Sequence, residues 1–248
     1  MSNSDYGLRL FGGFDLRRGA RAVDVPLSVQ RLLGFVALND RPLPRTYVAD
    51  SLWPDTGEAQ AHANLRTALW RLHSKQHRVL DVSPVELALN PLVQVDTRSV
   101  HDCVREYRRT GTLPPADSLL DLHGELLPGC WDSWIVFERE RLRHEAIELL
   151  EASVQRCLAC GDFLLATMLS LGAVECDPLR ESANLLNVRA RVAAGDLTGA
   201  IRYAQRYCRA LNEELGLPPP QALISLMSSD LSLGKTCPSL WFDSPHQR

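Results

Sequence analysis

Apolar residues along this chain change period twice. From Leu8 to Val25 they alternate with polar ones in short runs, Leu8–Phe11, Phe14–Arg17 and Ala22–Val25, separated by Gly12-Gly13 and by a turn at Gly19. Three strands in a small antiparallel sheet are predicted. A helical period then takes over. Leu32, Leu33, Val36 and Leu38 share one face of a helix that Ser28 is placed to cap and that Asn39-Asp40-Arg41-Pro42 ends. A short helix is expected from Thr46 to Trp53, a break at Pro54-Asp55-Thr56-Gly57, and a longer helix over Ala61–Lys75. Val79–Val82 and Val85–Leu89 then read as a hairpin around Ser83-Pro84. Sheet, three helices and hairpin together predict a winged helix-turn-helix.

From Asp96 the pattern is almost wholly helical. Pro114-Pro115 and Pro128-Gly129 interrupt it, and a long helix is predicted over Ser133–Cys160. The stretch from Leu158 to Ala166, LACGDFLLA, is echoed 34 residues later by Val192 to Ala200, VAAGDLTGA. That period is the one of tetratricopeptide (TPR) helix pairs. In each copy the glycine is placed to close one helix and the aspartate to cap the next. Asp177-Pro178 is expected to open a helix likewise, with Asp at the cap and Pro at the first helical position. Two helix pairs are short for a free-standing array, so helices over 99–107 and 220–231 are expected as caps. The predicted fold class is mainly α: a winged helix-turn-helix over residues 1–96, an all-α TPR-like domain over 97–234, and a disordered tail over 235–248.

The helix over Ala61–Lys75 carries the most pointed chemistry. Leu65, Ala68, Leu69 and Leu72 fall on one side, and Ala63, Arg66, Thr67, Trp70, Arg71 and Ser74 on the other. Small residues at 63 and 67 allow close approach of a partner, while two guanidiniums and an indole suit phosphates, base edges or a thymine methyl. The competing explanation is a core helix with a solvated basic face.

Composition changes this picture only in part. The chain has 248 residues, 45% hydrophobic and 23% charged, which is ordinary for a globular protein. A net charge of −3 argues against nucleic acid until its distribution is read. Residues 1–98 hold 12 basic and 10 acidic side chains, whereas residues 99–248 hold 15 and 20. Arg41, Arg45, Arg66, Arg71, Lys75 and Arg78, with His62, His73 and His77, give the first part a modest basic footprint, so DNA binding by one copy is expected to depend strongly on salt. The opening residues have no basic-then-apolar signal pattern, no run reaches the length of a membrane span, and seven scattered cysteines favour reduced thiols, so a cytoplasmic protein is expected.

Other motifs are set aside. Cys157-Leu158-Ala159-Cys160 lies inside a predicted helix without a second pair and is explained as small core residues. Ser232-Leu233-Gly234-Lys235-Thr236 ends like a phosphate loop, but Ser229 stands where its first glycine belongs. Trp131, Trp134 and Phe137 are expected in a core or interdomain cluster. With no catalytic constellation singled out, no enzyme, cofactor or metal is expected.

The runs LRLFGGFDLRRG, LLGFVALN, VADSLWPD and NLRTALWRLHS, then LLPGCWDSWIVFERERLRHEAIELLEA and LNEELGLPPPQAL, resemble the Streptomyces antibiotic regulatory protein (SARP) family from Leu8 to about Leu231. The resemblance implies a response-regulator-type winged helix followed by a bacterial transcriptional activator domain. It implies an activator that binds promoter direct repeats as a side-by-side homodimer and touches RNA polymerase holoenzyme. Carried over by position, Arg66, Thr67, Trp70 and Arg71 meet the major groove, with Ala63, His62, Ser74 and Lys75 around them, while Arg41 and Arg45 reach phosphates. Pro54, Asp55, Thr56, Gly57 and Glu58 form the polymerase-contact loop. Trp70 stands where relatives carry a small polar or basic residue, which favours apolar contact over a base hydrogen bond. The wing offers Ser83, Pro84, Val85 and Glu86 where relatives place arginine. The alternative function is a TPR-like protein-interaction adaptor with a degenerate DNA-binding domain.

Overall fold

The computed structural model describes residues 6–74, 77–120 and 125–230. Its architecture is mainly α, a winged helix-turn-helix of mixed α and β structure followed by TPR-like helices. The chain divides into two compact units. One comprises residues up to 105 together with 124–142; the other comprises 106–123 and everything from 143 onward.

In the first unit, β1 (Tyr6–Arg9) pairs antiparallel with β2 (Asp15–Arg18), which pairs with β3 (Arg21–Ala22). Helix α1 (Leu27–Ala37) follows, then β4 (Leu43–Pro44), α2 (Arg45–Leu52) and α3 (Glu58–Ser74). The hairpin is β5 (Leu80–Val82) and β6 (Glu86–Leu89), closed by Ser83, whose Oγ accepts from the amides of Val85 and Glu86 at 3.2 and 2.8 Å. Two strands were not legible in the sequence. β4 pairs with β6, making the wing three-stranded, and β7 (Gln94–Val95) lies parallel to β1 as a fourth strand of the first sheet. Both are only two residues long, too short for an alternating pattern.

Helix α1 corrects one expectation. It starts a residue before Ser28, with Pro26 at the cap position and no side-chain cap bond. Proline's fixed φ suits a helix start, and Ser28 is left in the first turn. Val29, Leu32, Leu33 and Val36 are fully buried beneath α2 and α3.

Helix α4 (Asp96–Thr110) begins at a half-buried carboxylate that ties the helix to the end of β1. Asp96 accepts from the amides of Leu10 and Phe11 at 2.8 and 3.0 Å. Burial pushes this acid above its ordinary range, against the pull of those amides.

The second unit takes in the end of α4, the short helix α5 (Ala116–Leu120) and most of α6 (Ser133–Cys160), then α7 (Phe163–Cys176), α8 (Glu181–Ala193), α9 (Leu197–Leu215) and α10 (Gln221–Asp230). The 34-residue echo is structural. Gly161 and Gly195 both adopt φ 81°, and Asp162 and Asp196 cap the next helices through the amides of Leu165 (3.2 Å) and Gly199 (2.9 Å). The six-to-one bonds that close each turn also recur, from Asp162 N to Cys157 O at 3.0 Å and from Asp196 N to Arg191 O at 2.9 Å. Asp177-Pro178 departs from the forecast: Asp177 ends α7 in extended conformation, Pro178-Leu179 form a turn closed by Arg180 N donating to the Asp177 carbonyl at 3.2 Å, and α8 starts at Glu181 with Arg180 at its cap.

The core of this unit holds Val188, Ala200, Tyr203, Ala204, Tyr207, Cys208, Leu211, Leu223 and Met227. A polar ladder runs through it: Asn187 donates to Ser170 Oγ at 2.9 Å and accepts from Arg191, while Asn184 accepts from Tyr203 OH at 2.7 Å. The Cys157–Cys160 pair does not serve the core as expected, since Cys160 is exposed and Cys157 only half-buried. The tail from 231, including Lys235, Cys237, Trp241 and Phe242, lies outside the described residues.

Candidate nucleic-acid interface

The site is built from the underside of α3 upward. Leu65 and Leu72 are fully buried, Ala68 is 1% exposed and Leu69 6%, so four residues lock this face onto α1 and α2. With that face fixed, the 3.6-residue period leaves Arg66, Thr67, Trp70 and Arg71 on the outside. All four are exposed, Trp70 to 70%. A bare indole on a helix that has a complete core beneath it is the informative departure from ordinary burial.

Each side chain has its own local setting. The Thr67 hydroxyl donates to the Ala63 carbonyl at 2.9 Å. Arg71 Nη1 lies 3.4 Å from Ser28 Oγ, which gives Ser28 a role other than the expected cap. Ala63 and His62 are half-buried at the flank of the face. The Ser74 side chain and Lys75 lie outside the described residues. Arg41 is exposed after α1, whereas Arg45 is half-buried and donates to the Ser83 carbonyl of the wing at 3.3 Å. The structure thus brings 62, 63, 66, 67, 70 and 71 together on one helix, and puts Arg41 and Arg45 on separate segments.

Pro54, Asp55, Thr56, Gly57 and Glu58 are all exposed at the turn between α2 and α3, with Glu58 opening α3. Asp50, Asp55 and Glu58 make this stretch acidic, and no lysine or arginine occurs between Arg45 and Arg66. A basic outward helix and an acidic turn thus adjoin each other along the chain.

Two aromatic residues depart from their expected cluster. Trp131 and Phe137 are 83% and 82% exposed, Trp131 with the Arg139 guanidinium 5.7 Å over its ring, while Trp134 packs edge-on against Phe35 at 5.2 Å. The reason is the pitch of α6: its buried stripe passes through Ile135 and Leu142, and Val136 and Phe137 fall outside it. Sequence reasoning also missed Arg31, whose guanidinium joins the end of α2 to Asp132. The available signal was a single charged residue in the otherwise uncharged helix Leu27–Ala37.

Among the described residues no group of His, Cys, Asp and Glu is arranged to hold a metal ion, and no helix is long and apolar enough to cross a membrane.

Residues 115–229 match the family model of the bacterial transcriptional activator domain. No curated protein matches the chain. Among solved structures it is similar to Mycobacterium tuberculosis EmbR in complex with a low-affinity phosphopeptide, with a TM-score of 0.63 and 17% identity over 92% of this chain. The chain spans 65% of the length of that structure. The chain thus carries a match to the bacterial transcriptional activator domain over residues 115–229, behind a winged helix-turn-helix, and is similar in fold to EmbR.

Proposed function

We propose that the chain is a sequence-specific DNA-binding transcriptional activator. Helix α3 enters the major groove, where Arg66 and Arg71 supply charge for phosphates or guanine edges and Trp70 supplies an apolar face for thymine methyls or sugars. The observation that carries this reading is the exposure of Arg66, Thr67, Trp70 and Arg71 above a leucine-locked underside. A solvated face has no use for an indole that is 70% exposed.

On this reading two copies occupy direct repeats side by side. The acidic turn Pro54–Glu58 meets RNA polymerase holoenzyme, which fits its exposure and its lack of basic residues. The Thr67 hydroxyl is already engaged, so its methyl is the group offered to DNA.

The test is promoter retardation with Arg66→Ala combined with Arg71→Ala. Both guanidiniums are exposed, and the bond from Arg71 to Ser28 is an exposed one, so circular dichroism and thermal stability stay near wild type while affinity falls by about 2–6 kcal/mol, at roughly 1–3 kcal/mol for each contact. Unchanged retardation by a folded double variant overturns the proposal and favours a protein-interaction adaptor.

A further inference from the structure

Arg31 is the one charged residue of α1, and its guanidinium is engaged through Nε and Nη2. Its Nε donates to Asp132 Oδ2 at 2.8 Å and its Nη2 to Asp132 Oδ1 at 2.7 Å, a two-pronged ion pair. The same Nη2 donates to the backbone carbonyl of Leu52 at 2.7 Å. Leu52 is the last residue of α2, where carbonyls have no partner within the helix and where a cation is favoured. Only the turn Trp53–Gly57 separates that carbonyl from the start of α3.

Asp132 gives up a local role to make this link. It immediately precedes α6, the position from which an aspartate ordinarily caps its own helix. Here both carboxylate oxygens face Arg31, 101 residues away in sequence, and Oδ2 also accepts from the Cys130 thiol at 3.3 Å. The loop ahead of it is held just as firmly. Leu127 has φ 46°, a conformation that side-chain-bearing residues seldom adopt. It is fixed there by its amide donating to the Leu10 carbonyl at 2.9 Å and by Arg139 donating to its own carbonyl at 2.7 Å. Arg139 also donates to the carbonyls of Leu126 and Cys130, at 2.8 and 2.6 Å. A strained, multiply anchored loop that ends in a redirected carboxylate marks a place where function outweighs local preference.

We propose that Asp132 is a positioning residue for DNA recognition: through Arg31 it fixes the C-terminal end of α2, and with it the angle at which α3 is presented. The proposal rests on the DNA-reading role of α3 given above. Contacts to base edges require a fixed helix orientation, whereas attraction to phosphates does not. The core beneath α2 and α3, with Val48, Ala49, Leu65 and Leu72 buried, keeps the unit folded without the bridge.

The experiment compares full-length wild type, Asp132→Asn, Asp132→Glu and Arg31→Lys for binding to a duplex selected by the wild type and to random-sequence duplex. Asp132→Asn and Arg31→Lys are expected to lose about tenfold in the ratio of specific to random affinity, with the salt dependence unchanged. Asp132→Glu keeps the two-pronged acceptor and recovers most of that ratio. The sign is diagnostic, because removing a carboxylate makes the protein less acidic and by charge alone tightens its hold on DNA. Amide exchange over Trp53–Glu58 in the free protein is expected to quicken in Asp132→Asn. An unchanged ratio, or parallel losses on both duplexes with a fall in thermal stability, overturns the positioning role. If wild type itself shows no preference for any duplex, the DNA-reading role fails first.

Discussion

The two units solve the same problem, holding helices in place, by opposite means. The repeat unit relies on contacts between neighbouring helices: a glycine that ends a helix, an aspartate that caps the next, and a core drawn from α6 to α10 in succession. The winged-helix unit is completed from far along the chain. Its sheet takes β7, its β1 end is pinned by Asp96, and residues 125–139 bond back to Leu10, Gly12 and Arg31. Local closure makes a structure that can be read from sequence and repeated. Distant closure makes one whose geometry later residues can set.

The sharpest way to break this contrast is truncation. A chain ending at Arg105 keeps every element of the winged helix but loses the bond from Leu127 N to Leu10 O, the one from Gly12 N to Glu125 O, and Trp134 against Phe35. It is expected to lose cooperative unfolding in denaturant, and a sharp transition from such a fragment would show that closure from afar is dispensable. Leu65→Ala comes next. It empties a fully buried site under α3 and is expected to cost about 2–5 kcal/mol in a denaturant titration, abolishing DNA binding through the fold and not through contacts.

Asn187→Ala probes the repeat unit. It removes the donor to Ser170 Oγ and the acceptor of Arg191 Nε, leaving Ser170 its bond to the Thr167 carbonyl and Arg191 its pairing with Asp196, and is expected to cost about 1–3 kcal/mol, with α3 undisturbed in hydrogen exchange. Alkali separates the units in another way. Burial pushes the Cys208 thiol up to about 11 and the Tyr207 phenol up to about 12, so an unfolded chain ionises these groups before the folded one does. Stability held below about pH 9 is therefore lost as pH rises towards 12, and the loss is expected first in α9. Cys208→Ala and Tyr207→Phe together are expected to flatten that dependence in a pH series of thermal melts. The smallest effects are the caps. Asp162→Ala and Asp196→Ala are expected to cost about 1 kcal/mol each, with Asp196 also losing its pairing with Arg191, and no loss from either in thermal melts would show that these caps do not hold the repeat turns.

What the sequence revealed follows the same division. The turns at Gly161-Asp162 and Gly195-Asp196 are local chemistry, and they are found where their residues stand. The leucine stripe under α3 is likewise set by helical period, so the outward set Arg66, Thr67, Trp70 and Arg71 was legible. The bridge from Arg31 to Asp132 was not, because no local pattern marks partners 101 residues apart. Ser28 and Asp177 were misread for a related reason. Both are good capping residues, but proline at 26 starts α1 early and the turn after α7 delays α8.

Selection of duplexes from a random pool by the full-length protein tests the central claim most directly. Wild type is expected to enrich a direct repeat whose half-sites lie about one helical turn, roughly 10–11 base pairs, apart, and the Arg66→Ala, Arg71→Ala double variant is expected to enrich none. An unenriched wild-type pool, or the same motif recovered with both arginines removed, would contradict the assignment of α3 as the DNA-reading helix.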